Sequence, residues 1–109
     1  MVACVAPSLA FAHAVLTKAS LDGDVRSETA TAVTLRFNTG IEPKFTRVVL
    51  VDGAGAERPL DTSPGEGRAT VRVALPPLAA GIYGLRYKVL AADGHVTESV
   101  LRFTVKAAE

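Results

Sequence analysis

The chain has 109 residues, 49% of them hydrophobic, which suits one compact domain and leaves no room for a second independent core. Its formal net charge is +1 with acids and bases mixed along the length, so it has neither a basic stripe for phosphates nor a polybasic patch for anionic lipid. That balance argues against nucleic acid as a partner, and a single cysteine excludes an internal disulfide.

Residues 1–12 carry no charge, run through Val2, Val5, Leu9 and Phe11, and end in Ala10-Phe11-Ala12, a small-x-small triplet of the type signal peptidase reads. They are expected to be a signal peptide, with residues 13–109 as the mature domain and His13 as its first residue. A complete signal also carries a Lys or Arg near its start, so this one is expected to be truncated, or its start codon misplaced. The competing possibility is a genuine first strand or buried cap. Cys4 lies inside the segment and leaves with it; a lipid anchor at Cys4 is the rival reading, against which no apolar stretch precedes it. No later run approaches the roughly 20 apolar residues of a spanning helix, so a soluble mature domain is expected.

From residue 14 onward the pattern is strands punctuated by turns. Residues 14–19 fit an edge strand. Residues 31–37 alternate, with Val33, Leu35 and Phe37 on one face and Thr34 and Arg36 on the other. Residues 45–51 are more continuously apolar, which predicts a strand covered on both faces, and residues 57–60 fit a short one. Alternation returns in residues 68–75, through Ala69, Val71, Val73 and Leu75. It continues in 83–89, through Tyr83, Leu85, Tyr87 and Val89, and in 101–105, through Leu101, Phe103 and Val105. Segments 21–24, 52–56, 63–67 and 76–81 are rich in Gly, Pro, Asp or Ser and read as loops. The expected fold is all-β, a seven-stranded antiparallel Greek-key β-sandwich.

The chain contains two histidines, His13 and His95. A terminal His13 offers a metal both an amine and an imidazole. Asp93 and His95 flank Gly94, and in a strand residues two apart share a face, so a carboxylate and an imidazole could meet one ligand there. His13, Asp93 and His95 together supply three nitrogens and one oxygen, a set that suits tetragonal Cu(II) better than tetrahedral Zn(II). The amine exists only after cleavage before His13. Asp-Gly is also a favoured hairpin turn, so Asp93-Gly94 could simply reverse the chain; the turn role and the ligand role are compatible.

His13-Ala14-Val15-Leu16, Val33-Thr34-Leu35-Arg36-Phe37, Gly81-Ile82-Tyr83 and Ala92-Asp93-Gly94-His95 followed by Phe103-Thr104-Val105 resemble the CopC family of periplasmic copper-resistance proteins. The resemblance implies a cupredoxin-like or immunoglobulin-like sandwich that binds Cu(II) through the terminal amine and imidazole of His13, the Asp93 carboxylate and the His95 imidazole. Three departures stand out. Ser20 is followed by Leu21 rather than Pro. Phe37 is followed by Asn38 and Thr39, where many members carry an acidic residue two places after the phenylalanine. Glu42 lies nearby as possible acidic support without being assigned as a ligand. The sole methionine, Met1, falls in the signal, which argues against a separate Cu(I) thioether site.

The leading functional expectation is a non-enzymatic, monomeric periplasmic protein that carries or buffers copper in resistance or homeostasis. A membrane importer of the CopD type is the expected recipient. A copper-dependent oxidative enzyme is the first alternative. The second is a metal-free sandwich interaction module in which exposed edge strands pair with a partner and Arg36, Arg72 and Arg86 are ordinary solvated residues.

Overall fold

A computed structural model describes residues 15–20, 25–26 and 30–107. Residues 1–14, which include the expected signal peptide and His13, lie outside the described residues. The described strands are β1 (Leu16–Ala19), β2 (Val25–Arg26), β3 (Thr31–Phe37), β4 (Arg47–Val51), β5 (Glu57–Leu60), β6 (Thr62–Pro64), β7 (Thr70–Leu75), β8 (Gly81–Leu90) and β9 (Val96–Lys106). They form a four-stranded sheet in the order β1-β3-β7-β6 and a five-stranded sheet in the order β2-β9-β8-β4-β5. Successive strands cross between the sheets at β1 to β2, β2 to β3, β3 to β4, β5 to β6 and β7 to β8, so sequence neighbours are repeatedly separated in space, as Greek-key connections require. Every pairing is antiparallel except that of β2 with β9.

The sandwich closes because each alternating strand turns one face inward. Val33, Leu35 and Phe37 of β3 and Val71, Val73 and Leu75 of β7 meet Val48 and Leu50 of β4, Leu85, Tyr87 and Val89 of β8, and Phe103 and Val105 of β9. Phe37 and Tyr87 meet edge to face with centroids 5.5 Å apart, and Tyr83 stacks on Phe103 at 5.7 Å. The Tyr83 hydroxyl donates to the Ala79 carbonyl at 2.7 Å, so its polar end is satisfied at the rim of the core.

The seven expected strands are present, with two short additions at sheet edges, β2 and β6. Two local expectations change. Phe45 is 59% exposed and belongs to a 3-10 turn, Pro43–Phe45, so the covered strand begins only at Arg47. Pro43 sits in the first turn, where its missing N–H costs nothing, and the Thr46 N–H closes on the Pro43 carbonyl. In β1 the register slips between Leu16, opposite Phe37, and Lys18, opposite Arg36. The bulge at Thr17 lets Leu16 and Ala19, three residues apart, both pack on the core while Lys18 points out. Two of the edges are blunted by proline, Pro59 in β5 and Pro64 in β6, which cannot donate to an incoming strand.

Candidate metal centre

The β8–β9 hairpin ends in a tight loop. The Ala91 N–H donates to the His95 carbonyl at 2.8 Å and the Gly94 N–H to the Ala91 carbonyl at 2.9 Å. Gly94 has φ of +96°, in the left-handed region that a side chain disfavours. A type I turn followed by a left-handed glycine is a common way to close a three-residue hairpin loop, and Ala92-Asp93-Gly94 supplies it.

This turn, rather than the two-residue period of a strand, brings the two expected ligands together. The Asp93 Oδ1 accepts the His95 backbone N–H at 3.1 Å and lies 3.1 Å from the His95 Nδ1. Both side chains are about half exposed, at 48% and 55%. The His95 backbone N–H holds the Asp93 carboxyl below its ordinary value; desolvation opposes the shift and the imidazole adds to it. Asp93 is therefore an anion at neutral pH.

The connection between β3 and β4 packs against this hairpin. The Ala92 N–H donates to the Gly40 carbonyl and the Glu42 N–H to the Leu90 carbonyl, both at 2.9 Å, and Ile41 bridges Ala91. The same connection grips the start of β1: the Val15 N–H donates to the Asn38 Oδ1 at 2.8 Å and the Asn38 N–H to the Val15 carbonyl at 2.9 Å. Val15 is thus held to a segment that is itself held to the Asp93–His95 loop. The Asn38 contact has no signature in the sequence, because an amide after a strand gives no sign of which N–H it will accept.

Among the described residues, Asp93 and His95 are brought together, and no set of three or more His, Cys, Asp or Glu side chains could hold a metal ion. The third expected ligand, His13, lies outside the described residues. Glu42 is exposed, and its described hydrogen bonds run through its backbone.

The architecture defines a Greek-key sandwich that presents a carboxylate–imidazole turn at one end. A CopC domain profile matches residues 16–106, and the chain belongs to the CopC family, the copper-resistance family that its sequence resembles. Among solved structures, CopC from Methylosinus trichosporium OB3b is similar at 29% identity and a TM-score of 0.73, over 89% of this chain and 97% of that one. PcoC from Escherichia coli, described as a methionine-rich copper resistance protein, shares the fold at 24% identity and a TM-score of 0.70, over 87% of this chain and all of that one (100%). The Lin-41 filamin domain shares it at 13% identity and a TM-score of 0.60, over 85% of this chain and 91% of that one. Comparison with curated protein sequences returns no match. Among the described residues, no helix is long and apolar enough to cross a membrane.

Proposed function

We propose that the chain, cut before His13, is a periplasmic Cu(II) carrier or buffer that holds one ion through the His13 amine and imidazole, the Asp93 carboxylate and the His95 imidazole. The observation that carries this reading is the Asp93–His95 contact at 3.1 Å, on a loop tied through Gly40 and Asn38 to Val15. His13 is two residues before Val15, a reach of at most about 7 Å along the chain. Three nitrogens and one oxygen form a tetragonal set, and copper is here the cargo. The carboxylate is bonded to the imidazole with which it would share the ion, and both groups are exposed enough for side-chain rotation to turn them to one metal.

Removal of residues 1–12 creates the amine, so secretion and site assembly are one event in this reading. The protein acts without catalysis, as a monomer, and passes copper to a membrane importer of the CopD type.

Titration of the processed chain with Cu(II) should reach one ion per chain. His13→Ala and His95→Ala should each weaken binding by about a hundredfold or more, beyond the 10–100-fold typical of losing an outer-shell partner. Wild-type affinity in a correctly processed His13→Ala variant would show that the proposed coordination is wrong.

A further inference from the structure

The outward face of the four-stranded sheet carries a charge arrangement that the copper reading does not use. Lys18 of β1 stands directly opposite Arg36 of β3. Arg36 is paired with Thr70 and Thr34 with Arg72, so Arg72 of β7 is the diagonal neighbour of Arg36 on the same face. Side chains directly opposite are about 5 Å apart at Cβ and diagonal ones about 7–8 Å, and like charges so placed repel. Among the described residues no carboxylate forms an ion pair with any of the three.

The other sheet is arranged differently. There Arg86 donates both guanidinium nitrogens to Glu57, at 2.8 and 2.9 Å, and Lys88 stands opposite Glu98. Alternation accounts for cations on either outer face; it does not account for three on one face that, among the described residues, form no ion pair.

The three cations line a cleft of about 350 Å³, at the small end of the range for ligand pockets. Its wall includes Ser20, whose Oγ accepts the Thr34 N–H and whose own hydroxyl proton remains for a ligand oxygen. Among the described residues, Glu66 is the one acidic residue in the lining. Its backbone carbonyl takes the Thr70 hydroxyl, which shapes the floor.

We infer that this cleft binds a small molecule bearing two or three carboxylate groups. Two guanidinium forks and an ammonium spread over three adjacent strands match separate carboxylates better than one compact tetrahedral ion, because each planar fork pairs with a planar carboxylate. Glu66 at the wall disfavours ligands whose charge is concentrated at that point.

The test uses the metal-free processed chain and citrate as the probe, followed by amide NMR shifts and thermal unfolding. Citrate should give saturable shifts centred on Lys18, Arg36 and Arg72, and Arg36→Gln or Arg72→Gln should each weaken binding about tenfold or more. Arg36→Gln should also raise the Tm of the free protein by about 1–8 °C, because a repulsion is removed, while reducing the citrate-induced rise in Tm. Shifts reproduced by sodium chloride at matched ionic strength would overturn the inference, as would inorganic phosphate binding as tightly as citrate. A rise in citrate affinity on neutralising Arg36 would overturn it too.

Discussion

The loop that unites Asp93 and His95 depends on Gly94, and Gly94→Ala tests that dependence. At φ of +96° an added Cβ would meet no atom within 4 Å, so the cost is confined to the backbone. A left-handed conformation costs a non-glycine residue about 1–2 kcal/mol. For a domain of this size each kcal/mol lowers Tm by about 4–8 °C, so a fall of at least about 4 °C is expected if the turn is retained. If the turn instead relaxes in the metal-free protein, copper must restore it, and the same energy appears as an affinity loss of about 5- to 30-fold. Gly55→Ala is the control: Gly55 has φ of +87° with no atom within 4 Å of an added Cβ, and it lies in the β4–β5 turn at the opposite end of the sandwich. Thermal unfolding and competitive Cu(II) titration of both variants should show lost stability, lost copper affinity or a division between the two in Gly94→Ala, and lost stability with copper affinity retained in Gly55→Ala. Unchanged Tm and affinity in Gly94→Ala, or equal affinity losses in both, would refute the argument.

Other expectations follow from single contacts. Leu85 is fully buried (0% exposed) between the sheets, so Leu85→Ala should cost about 2–5 kcal/mol in urea unfolding. The hydrogen bonds and charge of Arg86 hold the Glu57 carboxyl below its usual value, so the stabilisation is complete above the ordinary carboxylate range and is lost as pH falls through the lowered value. Glu57→Gln should therefore flatten the acid limb of the stability profile measured by urea unfolding, leaving the limb above pH 7 unchanged. Asn38→Ala removes the acceptor for the Val15 N–H, worth about 0.5–1.5 kcal/mol, and should weaken copper binding by about 2- to 13-fold while Asn38→Asp, which keeps an acceptor, restores it.

Much of the fold was legible because strands with one buried face leave a period of two in the sequence. Val33-Leu35-Phe37, Val71-Val73-Leu75 and Leu85-Tyr87-Val89 show it and all lie in the core. The exceptions have local causes. β2 and β6 are two and three residues long, too short for any period to register. The bulge at Thr17 puts Leu16 and Ala19 on one face by breaking the period, and Phe45 is apolar but set outside by the turn that Pro43 begins. At the site, Asp93 and His95 do lie side by side, but for a reason other than strand spacing: a glycine-closed turn, in place of extended backbone, draws them together. The link from Asn38 to Val15 was hidden because it joins residues 23 apart through an amide side chain. The charge cluster on the four-stranded sheet became visible only once register put Lys18, Arg36 and Arg72 on one face.

In the proposed site, cleavage before His13 supplies the last ligand for copper, and a comparison of two chains tests this directly. A chain beginning at His13 and the same chain acetylated on the His13 amine keep the same imidazoles and the same Asp93, and differ in whether the His13 nitrogen is an amine or an amide. Cu(II) EPR together with competitive titration should show a single tetragonal, nitrogen-rich centre in the first. The acetylated chain should show altered hyperfine parameters and about hundredfold weaker binding. Identical spectra and affinities in the two chains would contradict the account.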